Sequence, residues 1–225
     1  MNSLASVTKT HLSEKKFHQA VEVKQADLLS DIYQKNTNIV IWRRKIEDIL
    51  SQASSNLLFT NPMLQISLVV TPENTYSAIK ESLGSSQMAT ILCKDIAKLV
   101  DIFCYLFNLK SVGLRLASLD NAMCPRFHVD GVLCRLVTTY HGVATEWLPN
   151  EAADRSKLGQ GNQGRPDDQS GLFLNVKDIQ QLSVGDVALL KGEGWKGNQG
   201  AGLIHRSPQP PGNTSRLLLT IDFID

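Results

Sequence analysis

The sequence has almost no charge of one sign in excess: 23 Lys and Arg stand against 22 Asp and Glu, for a formal net charge of +1. Such a chain has no long-range field to hold a phosphate backbone or an anionic membrane surface, which disfavours nucleic acid as the main partner. Long apolar runs are missing too. The nearest, residues 91–109, is interrupted by Lys94, Asp95, Lys98 and Asp101, whereas a bilayer span needs about 18 or more apolar residues in a row. Residues 1–16 lack the continuous apolar stretch of a secretory signal, so the expected compartment is the cytosol. Cysteine is scarce: Cys93, Cys104, Cys124 and Cys134 sit 11, 20 and 10 apart. That pattern is neither a C-x-x-C knuckle nor a disulfide framework, and the four read as buried free thiols. No internal repeat divides the 225 residues.

What is present suffices for a core. Hydrophobic residues make up 42% and charged residues 20%, near globular averages, so the chain is expected to fold unaided. The first 35 residues read as a loose polar arm ending in a short helix at 26–33, with His11 and His18 solvated. Residues 38–43 predict a buried strand, 45–54 an amphipathic helix and 63–70 another strand. Pro72 and Gly84 bracket a helix. From 88 to 106 apolar residues recur at threes and fours, the pattern of a long packed helix.

Beyond residue 110 the periodicity changes to alternation. Strands are predicted over 111–119, 126–130, 133–140, 171–176, 187–190, 201–205 and 216–223, separated by Gly-rich and polar loops at 150–170, 192–200 and 207–215. Short antiparallel strands at this spacing favour a jelly roll over a Rossmann fold. The expected architecture is α+β: an N-terminal arm and helical layer, 1–110, packed in one globule on a C-terminal double-stranded β-helix (jelly-roll, cupin-like) barrel, 111–225.

Phe127-His128-Val129-Asp130-Gly131 carries the strongest local signal. Residues two apart in an extended segment share a face, so His128 and Asp130 converge while Phe127 and Val129 face the opposite layer. His205, 77 residues later at the end of an apolar strand, is the candidate third ligand. Two His and one carboxylate on strands form a facial triad that leaves positions open for substrate and dioxygen, the usual non-haem Fe(II) arrangement. In the last strand Leu217, Leu219, Ile221 and Phe223 form one apolar face, leaving Arg216, Leu218, Thr220 and Asp222 on the other. Arg216 can therefore share a cavity with His205 and hold a carboxylate such as that of 2-oxoglutarate. Arg115, opposite Val112, Leu114 and Leu116 in its strand, is a rival.

The order His128-x-Asp130, Gly185-Asp-Val-Ala-Leu-Leu190, His205-Arg-Ser-Pro208 and Arg216 resembles the Fe(II)/2-oxoglutarate dioxygenases over roughly residues 111–225. The resemblance implies catalytic, metal-holding roles for His128, Asp130 and His205, cosubstrate binding by Arg216, and oxidation of an unidentified substrate. Through Met123-Cys-Pro-Arg-Phe-His-Val-Asp130, Thr145-Glu-Trp-Leu-Pro149, Val187-Ala-Leu-Leu-Lys-Gly192 and His205-Arg-Ser-Pro208 nearly the whole chain is similar to a bacterial family, the domain-of-unknown-function family 1826. That likeness implies no established activity, and it brings a link to zinc homeostasis as the alternative: a non-oxidative zinc-binding or accessory protein on the same barrel.

Each candidate has a plainer reading. His128 and His205 can be hydrogen-bonded core histidines, and Arg216 can sit in a salt bridge with Asp222 or Glu193. Trp147 and Trp195 can line a substrate mouth, or anchor loops by packing. Cys124 and Cys134 could offer zinc a tetrahedral site with His128, although Cys134 shares the core face of Leu136. His141 is assigned no ligand role.

Overall fold

Alternation and helical spacing sort residues 18–224, those described in the computed structural model, into ten strands and three α-helices. In chain order they are β1 (Gln19–Val23), a 3-10 helix (Ala26–Tyr33), β2 (Thr37–Trp42), α1 (Asp48–Thr60), β3 (Gln65–Val70), α2 (Thr75–Leu83), α3 (Gln87–Phe107), β4 (Val112–Leu119), β5 (Cys134–His141), β6 (Glu146–Leu148), β7 (Gln180–Gln181), β8 (Val187–Lys191), β9 (Ile204–Arg206) and β10 (Arg216–Asp222). His11 lies outside the described residues.

Two sheets result. The larger has the order β1-β2-β8-β5-β10-β4-β3, the smaller β7-β6-β9. Three of the seven strands in the large sheet come from residues before 111. Among the described residues no helix is long and apolar enough to cross a membrane.

Strand alternation decides what each face of the large sheet meets. Leu136 and Tyr140 of β5, Leu189 of β8, and Leu217, Leu219 and Ile221 of β10 join one cluster with Leu50 and Leu57 of α1, Ile79 of α2, and Leu92, Ile96, Leu99 and Phe103 of α3. The opposite face, with Ile39, Ile41, Val137, Ala188 and Leu190, packs with Trp147 of β6 and Leu203. Beyond the small sheet Phe127, Leu148, Leu172, Phe173 and Ile204 form another cluster, with Val129 against it.

α3 forms where its apolar positions predict it. The Ser86 hydroxyl accepts the Ala89 amide at 3.1 Å as an N-cap, and Asn108 ends the helix in the left-handed region at φ 53. α1 begins later and runs longer than residues 45–54. Ser54 returns its hydroxyl to the Leu50 carbonyl at 2.8 Å, so the helix survives a polar stretch, and Leu57 extends its buried face.

Three expectations need correction. Gln19–Val23, read as part of a loose arm, is an edge strand parallel to β2; its residues are mostly exposed, so main-chain pairing rather than apolar alternation makes it. Residues 171–176 form no strand but a single bridge, Ala153 to Phe173; Asn175 accepts the Lys177 amide at 2.9 Å and starts a 3-10 turn. Residues 126–130 are likewise held to β9 only by a bridge at His128. The Gly185-Asp186 step is structural: Asp186 pairs with Arg43 and accepts the Ser183 amide at 2.7 Å.

Candidate metal and anion site

The His128 bridge joins two segments far apart in sequence. His128 donates its amide to the His205 carbonyl, and His205 to that of His128, each at 3.0 Å. This brings the two imidazoles to a centroid separation of 4.6 Å. Nδ1 of His128 lies 2.9 Å from the Arg126 carbonyl and Nδ1 of His205 3.1 Å from that of Leu203. A carbonyl can only accept, so both Nδ1 atoms carry the proton and both Nε2 lone pairs are free. Both point at Asp130, with Nε2 of His128 3.5 Å from Oδ1 and Nε2 of His205 3.6 Å from Oδ2.

One donor atom from each of His128, Asp130 and His205 lies within 4.8 Å of the others. Two neutral imidazoles and one carboxylate, with backbone acceptors fixing the ring tautomers, are the donor set and outer shell of a facial divalent-metal site. Electrostatics favour the metal-binding state at two of the three donors, Asp130 and His205. Burial would raise the Asp130 carboxyl, but the contact with His128 and the nearby His205 and Arg135 outweigh it and hold it at about 2. Burial keeps His205 neutral, its pKa depressed to about 4. His128 is raised, chiefly by its contact with Asp130.

Arg216 lies in the same cavity, which its neighbours Leu218 and Thr220 also line, on the face of β10 turned from the helices. The side chain is completely buried. Nη1 donates to Ser207 Oγ at 3.0 Å, and Nη2 to Thr139 Oγ1 at 3.1 Å and Thr145 Oγ1 at 3.2 Å. Among the described residues every partner is a neutral hydroxyl, and Nε has none. The alternative salt bridge to Asp222 or Glu193 does not form: Asp222 sits at the far end of β10 and pairs with Arg135, and Glu193 pairs with Arg155. Burial of the unanswered cation lowers its pKa to about 10. Gly142 makes room for it: its φ is +84, and a Cβ there would meet Ser215 O at 2.6 Å and Arg216 Cα at 2.9 Å.

The rival Arg115 does not enter the cavity. It pairs in register with Thr220, but from β4, near the β3 edge, where it is exposed and bonds Gln65 Oε1 at 3.2 Å. The two tryptophans are packing anchors. Trp147 is buried between the sheets, and Trp195 stacks with Tyr33 and Phe107 on the helical side, under Lys191. His18 is half-buried rather than solvated. Cys124, read as buried, is exposed at the cavity, whereas Cys134 is fully buried on the helical face. The thiols lie on different sides of the sheet, so they do not assemble a tetrahedral site with His128.

Three contributors escaped sequence reasoning. Arg135 donates from Nη1 to Asp130 Oδ2 and from Nε to Asp222 Oδ1, each at 2.7 Å; the alternation that buries Cys134 and Leu136 sends it to the cavity side. Asp167, in the long loop after β6, accepts Arg126 Nε at 3.0 Å, the Phe127 amide at 2.9 Å and Arg206 Nη1 at 3.3 Å, tying that loop to both histidine segments. Nothing in its local sequence marks it. Gly192 lies against the loop that carries Asp130: a Cβ there would overlap the Val132 carbonyl oxygen and stand 2.8 Å from that of Asp130.

Comparison with known proteins speaks to the family and the fold. A family model described as a protein of unknown function (DUF1826) matches residues 23–222. No curated protein matches in sequence. The structure of the dioxygenase for auxin oxidation 1 from Arabidopsis thaliana, a 2-oxoglutarate binary complex, is similar with a TM-score of 0.51 and 8% identity, covering 91% of each chain. The dioxygenase for auxin oxidation in rice is similar with a TM-score of 0.52 and 11% identity, over 91% of this chain and 82% of that one. At these identities the likeness is one of fold: a mixed α/β chain with a large sheet, similar to that of the 2-oxoglutarate oxygenases.

Proposed function

The chain belongs to the DUF1826 family, and from its site we propose that it is an Fe(II)- and 2-oxoglutarate-dependent oxygenase acting on an unidentified substrate. One observation carries the reading: a fully buried guanidinium with, among the described residues, only hydroxyl partners shares a cavity with two imidazoles that converge on a carboxylate. A buried charge without a partner is costly, and a chain that retains one beside a metal-type donor set is built to receive an anion there. A core histidine pair and a structural arginine would account for neither the convergent Nε2 atoms nor the missing counterion.

Charge supports a dianion. Asp130 and Asp222 offset Arg135 and Arg216, so these four groups sum to zero, and a divalent ion adds a charge of about +2. A dicarboxylate restores neutrality, and 2-oxoglutarate is the ligand named for the Arabidopsis neighbour. In this reading the helices form a layer on a double-stranded β-helix. His128, Asp130 and His205 hold the metal, whereas Arg216 takes the far carboxylate through paired hydrogen bonds. Ser207, Thr139 and Thr145 fix the guanidinium plane before the ligand arrives, so little ordering is left to offset on binding. Bound Fe(II) would supply the redox chemistry that couples 2-oxoglutarate decarboxylation to oxidation of a substrate by dioxygen.

The test is an anaerobic titration of metal-stripped protein with Fe(II) and then 2-oxoglutarate, following the visible charge-transfer band of the chelated cosubstrate. A band is expected in the native protein; it should weaken in Arg216→Ala and vanish in folded His128→Ala and Asp130→Ala. Iron-dependent turnover that survives both His128→Ala and Asp130→Ala would refute the assignment.

A further inference from the structure

Asp130 has two oxygens, and both face an imidazole: Oδ1 is 3.5 Å from Nε2 of His128 and Oδ2 3.6 Å from Nε2 of His205. Left to itself, this carboxylate could offer both oxygens to a cation between the rings. It is not left to itself, because Oδ2 accepts Nη1 of Arg135 at 2.7 Å. Nor can Arg135 follow the carboxylate toward an ion. Its Nε is held at 2.7 Å by Asp222 Oδ1, and Asp222 is the register partner of Arg135 across the β5–β10 ladder. The guanidinium is thus braced on the sheet, with one edge on Asp222 and a terminal nitrogen on Asp130. Among the described residues, Arg135 is the one cationic side chain in ion-pair contact with Asp130.

We propose that Arg135 is a positioning residue that restricts Asp130 to one-oxygen coordination, keeping a third metal position free beside a ligand that chelates through two atoms. The inference rests on the metal site proposed above and adds what decides how many positions that site leaves open. With two imidazoles, a two-oxygen Asp130 leaves an octahedral ion two positions, both of which a chelating 2-oxo acid fills, so a third ligand has none; a one-oxygen Asp130 leaves a whole face open. The rigid fork of arginine suits the task, since it presents donors to two carboxylates at fixed angles, whereas the three donors of an ammonium rotate on a flexible stem.

The experiment loads the full-length chain with Mn(II) and counts metal-bound waters by water-proton relaxation, then measures 2-oxoglutarate affinity by calorimetry. In Arg135→Met the freed Oδ2 should displace a water, so the relaxivity of the bound ion falls by about a third. Affinity for 2-oxoglutarate should drop about tenfold or more, the usual scale for losing an outer-shell partner, with Mn(II) still bound one to one. Asp222→Ala removes the brace but keeps Arg135, and should move both readouts in the same direction by less; it keeps the test alive if Arg135→Met does not fold. A merely structural arginine would lower Tm and leave the water count unchanged. Unchanged water count and unchanged 2-oxoglutarate affinity in a folded variant would overturn the role of Arg135 alone. Native protein that takes up no Mn(II) would overturn the metal site itself, and that result is read before any variant is made.

Discussion

Arg216 holds a full charge where only hydroxyls answer it, and that arrangement makes opposite demands on stability and on binding. Taking a guanidinium out of water without a counterion costs several kcal/mol in general, and the lowered pKa of this one has burial as its cause. Arg216→Met keeps much of the volume and removes the charge. The expected outcome is a folded variant whose Tm is equal to or above that of the native protein, by about 2–4 °C for each kcal/mol recovered, and which has lost 2-oxoglutarate binding. Thermal melts with and without metal and cosubstrate check it. The native Tm should rise on adding 2-oxoglutarate to metal-loaded protein, as binding only the folded state requires, and the variant's should not. A large drop in Tm with cosubstrate binding retained would make Arg216 a structural residue. The sequence pointed to this residue because alternation in β10 is clean: Leu217, Leu219 and Ile221 join the core, which leaves Arg216 for the cavity. The same rule placed Arg115 on that face but could not say that β4 carries it toward the sheet edge. Strand order, unlike strand face, is set by contacts between distant segments.

At the scale of elements, the site depends on close approach between β8 and the turn after Asp130. Gly192 donates its amide to the Leu133 carbonyl at 3.0 Å and Glu193 to that of Asp130 at 2.9 Å, and no Cβ fits between these backbones. Gly192→Ala should therefore push the Asp130 turn outward. The expected result is a loss of roughly 1–3 kcal/mol, typical of overpacking, accompanied by weaker metal binding. Leu92→Ala, buried in α3, is the control: it should cost about 2–5 kcal/mol and leave metal affinity unchanged. Equal metal affinity in Gly192→Ala and native protein would separate this contact from the site. His128 and Asp130 were legible because period-two alternation works locally, even though the segment pairs only through one bridge. The small strands β6 and β7 were not, because three and two residues are too few to show a period. Asp167 reaches Arg126 from 41 residues away and was invisible for a different reason: its partners come together only when the fold is complete.

Across the whole molecule, the change of periodicity at residue 110 does not mark a boundary of the sheet. β2 lies between β1 and β8, and β3 covers the outer side of β4, so residues before 111 complete the sheet that carries Arg135 and Arg216. A buried polar link reinforces the union. Arg44, just after β2, chelates Asp95 of α3 at 2.7 and 2.9 Å, and the fully buried Tyr140 of β5 donates to the same carboxylate at 2.7 Å. Residues 111–225 expressed alone would uncover Leu136, Tyr140, Leu189, Leu217, Leu219 and Ile221, which now meet the helices. At about 1.5–3 kcal/mol for each large apolar side chain, that exposure forfeits roughly 9 kcal/mol at the low end, comparable to the entire stability of about 5–15 kcal/mol of an ordinary domain. The fragment should accordingly show no cooperative thermal transition by circular dichroism and take up no Mn(II), while the full chain does both. A fragment that melted cooperatively and bound metal with the affinity of the full chain would instead make residues 1–110 an accessory to the site rather than part of its scaffold.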